Sequence, residues 1–132
     1  MIIDTSFYSQ LKKGHPEAIK SIDRSGFILM PLISIAEIWK GAHYGEKFSH
    51  NSRQLEGFLA MPEVEVVSLT LDTARIYGEL AAECRRRGRA LSNNDMWLAA
   101  LAKEHQAPLY IFDKDFIALE SLVGKGLVKV LE

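Results

Sequence analysis

Short apolar segments alternate with longer stretches of helical periodicity along the whole chain, and this alternation restricts the possible folds more than any other feature. The apolar segments contain many β-branched residues, which favour strands. They lie at Met1–Ile3, Phe27–Met30, Val64–Leu69, Leu109–Phe112 and Leu127–Leu131. Strands separated by helices pair in parallel, so the pattern predicts an α/β fold: a three-layer α/β/α sandwich with a five-stranded parallel sheet.

The intervening segments carry helix start and stop signals. Ser34 followed by Glu37 is a capping-box pattern, which predicts a helix beginning near Ser34 with Glu37 in its first turn. A broad apolar stripe over Leu71–Arg87 predicts a helix that ends at Gly88, and Ser92 opens another. Elsewhere the pattern predicts two helical pieces within 10–24, divided at Gly14-His15-Pro16, a polar loop at 45–50 and a helix ended by Pro62.

The composition is that of an ordinary globular domain, with 132 residues, 48% of them hydrophobic and 25% charged. We therefore expect a single domain over residues 1–132. The single cysteine, Cys84, excludes an internal disulfide and a multi-cysteine zinc site, and it is typical of a reducing compartment. No signal peptide and no apolar run of membrane-spanning length is present, so the expected location is the cytoplasm, without a membrane partner.

The formal net charge of -1 gives no general affinity for nucleic acids. Binding to a polyanion would need a local basic patch. The one run that could supply it contains Arg85, Arg86, Arg87 and Arg89. These arginines could bind RNA phosphates, or they could complement the dipole at the end of their helix. The four histidines have no spacing typical of a metal site and are interpreted as surface or packing residues.

Four acidic residues fall at equivalent places in the predicted sheet. Asp4 and Asp113 follow the first and fourth strands, while Glu37 and Asp95 lie near helix starts. In a parallel sheet with right-handed crossovers, strand carboxyl ends and helix amino ends share one edge, so the four should converge. Two carboxylates about 4 Å apart repel by roughly 4 kcal/mol at an effective dielectric near 20, which a cation would offset.

An all-oxygen ligand set of this kind suits Mg²⁺ or Mn²⁺. A divalent ion held there can activate a water molecule for hydrolysis of a phosphodiester bond. Each acid also has a local explanation, and these explanations stay open at this point. Asp4 could cap a helix, Glu37 could close its capping box or pair with Lys40, Asp95 could complement a helix dipole, and Asp113 and Asp115 could be turn residues.

Four segments in order, M-I-I-D-T-S, I-A-E-I-W-K-G-A, R-R-R-G-R-A-L-S-N-N-D-M-W-L-A-A-L-A and F-D-K-D-F, resemble the signature segments of PIN-domain ribonucleases, particularly VapC-type toxins. The resemblance implies a sheet of order 3-2-1-4-5 and a metal-dependent endoribonuclease, with Mg²⁺ or Mn²⁺ as cofactor. It implies metal binding and catalysis by Asp4, Glu37, Asp95 and Asp113. It implies accessory roles for Thr5, Ser6, Asn94 and Asp115.

The same resemblance implies protein partners. A VapC-type toxin is paired with a small antitoxin of the VapB kind, so we expect such a partner and a homodimer or a larger complex with the antitoxin. A Lys or Arg of the antitoxin inserted among the four acids would be a natural inhibitor. Its remaining contacts are expected along the helix from Ser34 to Gly45, where Ile38, Trp39 and Tyr44 cannot all face inward.

One departure from the family pattern concerns Ile111, which stands where such sequences usually have Thr or Ser, two residues before Asp113. A lost hydroxyl there favours the alternative of a catalytically weakened module kept for interactions. A second alternative is a phospho-accepting receiver domain. The third strand disfavours it, because that strand ends in Val67-Ser68-Leu69, without the acid that a receiver needs.

Overall fold

The computed structural model describes all 132 residues, which pack as two compact units. One unit comprises residues 3–68, and the other comprises residues 69–132 together with Met1 and Ile2. The strands are β1 Ile2–Ile3, β2 Ile28–Pro31, β3 Val64–Val67, β4 Leu109–Ile111 and β5 Val128–Val130. They form one sheet of order β3-β2-β1-β4-β5, which confirms the predicted fold and strand order.

Helices flank this sheet. They are α1 Thr5–Lys12, α2 Pro16–Ser25, α3 Leu32–Tyr44, α4 Phe48–Leu59, α5 Leu71–Arg86, α6 Asn93–His105 and α7 Glu120–Val123, with a 3-10 helix at Lys114–Leu119. None of the helices is both long and apolar enough to cross a membrane.

The strands pair in parallel, and those in the middle of the sheet are buried. β2 pairs in parallel with β3, with Ile28 opposite Val64, and β4 pairs in parallel with β5, with Leu109 opposite Val128. Ile2, Ile3, Leu109 and Ile111 are fully buried. A strand buried on both faces needs apolar residues in succession rather than in alternation, as these segments have.

The predicted start of α3 is wrong by two residues. The helix begins at Leu32, directly after β2, and Pro31 is its N-cap, without a side-chain cap. Ser34 lies instead inside the first turn, where it is fully buried and its hydroxyl has no hydrogen-bond partner. Burial of α3 therefore decided its boundary, against the local capping pattern. Glu37 accordingly lies in the second turn.

Two other boundaries differ from the prediction. The loop predicted at 45–50 is shorter, because α4 already begins at Phe48. The first helix begins at Thr5, immediately after Asp4, and not near Gln10. The predicted stop of α5 at Gly88 is correct, since Gly88 has a positive φ of 68°. The predicted start of α6 at Ser92 is also correct, since the Ser92 side chain caps this helix.

Candidate functional site

Asp4 connects β1 to α1. It is the N-cap of α1, where its Oδ1 accepts a hydrogen bond of 2.8 Å from the Phe7 backbone N–H. The Ser6 hydroxyl donates to the same carboxylate, at 2.9 Å from Oδ1 and 2.8 Å from Oδ2. Helix capping, the local explanation for Asp4, is therefore observed. A carboxylate has about four acceptor sites, so capping does not exhaust its capacity to bind a cation.

Glu37 is held by a residue from the same unit. The Thr5 hydroxyl donates a hydrogen bond to Glu37 Oε1 over 3.2 Å, although 32 positions separate the two residues. Both side chains are half-buried. Glu37 does not close a capping box, since α3 has no side-chain cap. The residues that follow β1 thus include both an acid, Asp4, and the hydroxyl of Thr5, which orients a second acid.

Asp95 lies in the first turn of α6, where a negative charge is stabilised by the helix dipole. Its backbone N–H donates to Ser92 Oγ over 3.2 Å, which fixes the helix start. The neighbouring Asn93 accepts a hydrogen bond of 3.0 Å from the Tyr77 hydroxyl. Asn94, the accessory residue predicted from the sequence, is exposed on the same turn.

Asp113 follows β4 after one intervening residue and caps the 3-10 helix. Its Oδ1 accepts a hydrogen bond of 2.9 Å from the Asp115 backbone N–H. Both aspartates are exposed, whereas Ile111 is fully buried. The turn role considered for Asp113 is therefore observed. This role leaves acceptor positions on the Asp113 carboxylate.

The arginine run begins in the last turn of α5 and continues just beyond it. Arg86 and Arg87 both donate to the carboxylate of Glu83, the Arg87 Nε lying 3.2 Å from Oε1. The hydrogen bonds from Arg86, followed by those from Arg87, lower the pKa of Glu83 below its usual range. Arg87 and Arg89 also border an open groove of about 460 Å³ together with Asp115.

Within neither unit do three or more His, Cys, Asp or Glu side chains form a group that could hold a metal ion. The residues that the structure joins by hydrogen bonds are Asp4 with Ser6, Thr5 with Glu37, and Asp113 with Asp115. Asp4 and Glu37 belong to the unit 3–68, while Asn94, Asp95, Asp113, Asp115 and the arginines belong to the other.

Sequence reasoning missed several residues around these acids. Tyr77 belongs to the apolar stripe of α5, yet its hydroxyl donates a hydrogen bond to Asn93 and its ring packs on Trp97 with centroids 4.2 Å apart. Ser121, which accepts a hydrogen bond of 2.7 Å from Arg87, had no sequence signal because 34 positions separate the pair. His15 caps α2 through its side chain, and the His43 ring packs at a tilt against Phe48.

The family model described as PIN domain matches residues 1–122. The chain belongs to the PIN domain family. This confirms the resemblance noted in the sequence. The relatives include ribonuclease VapC1 of Haemophilus influenzae, 28% identical over 133 residues, a match that covers 97% of this chain and 98% of that protein. Ribonuclease VapC5 of Mycobacterium tuberculosis is 24% identical over 131 residues, covering 98% of this chain and 94% of that protein.

Several solved structures have the same fold. The chain matches a structure of VapBC2 from Rickettsia felis bound to a DNA fragment from their promoter, with a TM-score of 0.84 at 21% identity, over 99% of this chain and 98% of the other. It matches VapBC-1 from nontypeable Haemophilus influenzae with a TM-score of 0.79 at 23% identity, over 99% and 96% of the two chains.

Proposed function

We propose that this PIN-family protein is a metal-dependent endoribonuclease that hydrolyses RNA phosphodiester bonds and acts as the toxin of a toxin–antitoxin pair. The sheet order carries the proposal: β1 and β4 are neighbours, and each is followed by an acid, Asp4 and Asp113. Strands that are neighbours in a parallel sheet end at one edge, about 4.8 Å apart. The ribonuclease names of the relatives support the same activity.

The donor chemistry of this edge fits a divalent ion. The proposed ligands are Asp4, Glu37, Asp95 and Asp113, which offer carboxylate oxygens only, the donors preferred by Mg²⁺ and Mn²⁺. When bound, such an ion supplies charge neutralisation and a water molecule of lowered pKa. The protein's own part is positioning. The Thr5 hydroxyl orients Glu37, and the Ser6 hydroxyl orients Asp4.

The remaining accessory residues complete the proposed site. Asn94 is exposed one position before Asp95, so its amide is available to an RNA hydroxyl or phosphate. Asp115 borders the groove that Arg87 and Arg89 also border, and we assign it to the outer edge of the site. Ile111 is fully buried in β4, so its side chain contributes to the core. The apolar side chain of Ile111 is therefore explained by its place in the core, and it does not favour the alternative of a catalytically weakened module.

We assign RNA phosphate binding to the arginine run, with unequal shares. Arg89 borders the open groove, and no hydrogen bond or ion pair of its side chain competes for it. Arg86 and Arg87 share the carboxylate of Glu83, which reduces their free charge. Arg85 is exposed on the last turn of α5, next to this pair. We expect Arg89→Ala to weaken RNA binding more than Arg86→Ala.

The activity is tested with purified protein and total RNA. Cleavage should stop in EDTA and return with Mg²⁺ or Mn²⁺. Sequencing the fragment ends then gives the cleavage site. Cleavage that persists unchanged in EDTA would contradict the metal mechanism, and a folded protein that never cleaves RNA with either ion would favour the interaction-module alternative.

The proposed protein partner is a small antitoxin in the cytoplasm. The exposed apolar surface on α3 and the start of α4 supports this: Tyr44 is 82% exposed, Leu32 is 49% exposed, and Phe48 is 38% exposed. Trp39 and His43 pack against Phe48 with ring centroids 6.1 and 4.4 Å apart, which makes a continuous aromatic surface. Such a surface suits a helical or extended segment with apolar anchors.

A basic side chain of that antitoxin would complete the inhibition. Placed among Asp4, Glu37, Asp95 and Asp113, it would replace the charge of the metal through charge-assisted hydrogen bonds. Expression of the chain alone should arrest growth, and co-expression of the product of an adjacent small gene should restore it. Light scattering of the purified protein should give at least a homodimer. Normal growth without any partner would argue against the toxin role.

A further inference from the structure

A groove of about 220 Å³ opens beside Glu37, wholly within the unit 3–68, and the proposed chemistry does not use it. Its walls come from α1, α3 and the start of α4. The polar side chains and the one helical glycine that border it are Thr5, Ser9, Lys12, Glu37, Gly41 and Asn51. Tyr8, Ile38 and Ala42 supply the apolar part of the lining. The proposed ligand Glu37 and its partner Thr5 therefore border a groove of mixed polar and apolar character.

Gly41 indicates that the groove is kept open. Glycine inside a helix destabilises the helix relative to alanine. Nothing in the protein lies within 4 Å of the position that a Cβ of Gly41 would occupy, so packing does not require the glycine. A side chain there would instead enter the groove. The missing side chain makes room for something outside the chain.

Lys12 places a positive charge at the far end. Its Nζ lies 5.4 Å from the centroid of the Tyr8 ring, which holds the ammonium group over the α1 side of the groove. Lys12 lies seven positions after Thr5, which is about 10 Å along a helix. The groove thus has a carboxylate at one end, a cation at the other and the amide of Asn51 on the facing helix.

We infer that this groove binds one nucleoside of the RNA beside the cleaved bond, with the next phosphate on Lys12. The inference rests on the proposed ribonuclease function and adds a site that selects the flanking nucleotide. The Asn51 amide and the Ser9 hydroxyl can hydrogen-bond the base edge or the ribose 2′-hydroxyl, the groups by which single-stranded RNA is read.

The size of the groove favours a nucleoside over a peptide helix. One helical turn with its side chains, 5.4 Å long and 10–12 Å wide, occupies about 400–600 Å³. The groove holds about 220 Å³. An antitoxin helix could place only side chains in it, and the aromatic surface around Phe48 is the better place for such a helix.

Two pairs of variants test the inference by RNA cleavage. Gly41→Leu fills the groove, so KM should rise about tenfold while the protein stays folded, the effect of losing one good nucleotide contact. Its matched control is Gly57→Leu, because Gly57 is exposed on α4 and lies outside the groove. Lys12→Ala should lower the slope of log K against log salt by about one, whereas Lys13→Ala, one residue further and outside the groove, should not.

A binding experiment separates the inference from the proposed activity. The isotope-labelled protein is titrated with AMP, CMP, GMP and UMP in EDTA, where no cleavage can occur. At least one monophosphate should shift the backbone amides of Ser9, Lys12, Gly41 and Asn51, and Gly41→Leu should remove these shifts. If none of the four shifts them, and KM is unchanged in Gly41→Leu and Lys12→Ala, the inference is overturned even if the protein cleaves RNA.

Discussion

The Thr5 hydroxyl donates a hydrogen bond of 3.2 Å to the Glu37 carboxylate and so joins the start of α1 to the second turn of α3. We predict that Thr5→Val lowers kcat for RNA cleavage about tenfold, because a hydrogen bond to a charged group contributes roughly 1.5–3 kcal/mol and here holds a proposed metal ligand in one orientation. Thr5→Ser keeps the hydroxyl and should retain most of the rate. Equal rates in Thr5→Val and Thr5→Ser would show that this bond has no part in catalysis.

Asp4 has an observed role as the N-cap of α1 and a proposed role in which its charge binds the metal, and the two can be separated by mutation. Asn is about as good an N-cap as Asp, so Asp4→Asn should abolish cleavage while the free energy of unfolding in urea changes by less than about 0.5 kcal/mol. Asp4→Ala loses both roles and should also unfold about 1 kcal/mol more easily. Asp95→Asn should behave like Asp4→Asn, because the cap of α6 is Ser92. Full cleavage by Asp4→Asn would remove Asp4 from the site.

The buried Ser34 predicts a stabilising substitution. Its side chain is fully buried and its hydroxyl lacks a partner, and leaving such a group unsatisfied costs roughly 1–3 kcal/mol. Ser34→Ala removes the hydroxyl and adds a better helix former, so the free energy of unfolding should rise by about 1 kcal/mol. The matched control is Ser52→Ala in α4, whose hydroxyl donates to the Ser49 carbonyl, and which should not gain stability.

Local signals and long-range contacts differ in how well the sequence predicts them. The cap at Ser92 and the stop at Gly88 were predictable because each depends on a residue and its nearest neighbours. The start of α3 was not, because burial of Ser34 overrode a capping pattern that is correct only for an exposed helix end.

The candidate site shows the same division. The four acids could be proposed as candidates from the sequence, since Asp4 and Asp113 follow strands and Asp95 lies in the first turn of a helix, whereas Glu37 lies in the second turn of α3. The bond between Thr5 and Glu37 could not be predicted, because it depends on how α1 packs against α3, across 32 positions of sequence. The groove beside Glu37 could not be predicted either, since Lys12, Gly41 and Asn51 come from three different helices and have no common sequence pattern.

Glu83 predicts a pH dependence of stability. Its hydrogen bonds from Arg86 and Arg87 lower the pKa of the carboxyl in the folded protein. A lowered folded pKa means that the ionised form favours folding. The contribution is therefore present above the usual carboxyl pKa and is lost as the pH falls through the folded pKa. Glu83→Gln should unfold more easily than the parent at pH 7, and urea titrations should show this difference vanishing in acid. A difference that is the same at both pH values would contradict this assignment.

The same carboxylate should limit RNA binding. Glu83 competes with RNA phosphates for the guanidinium groups of Arg86 and Arg87, so Glu83→Gln should free both for the polyanion. We predict a lower KM for RNA and a salt slope of log K that is steeper by about one to two, because each newly engaged arginine releases counterions. Glu79→Gln is the matched control: it removes an exposed charge from the same helix, one that pairs with Arg75 and not with the arginine run. If the two variants bind RNA equally, the arginines paired with Glu83 do not contact the substrate, and phosphate binding falls to Arg89 and Arg85.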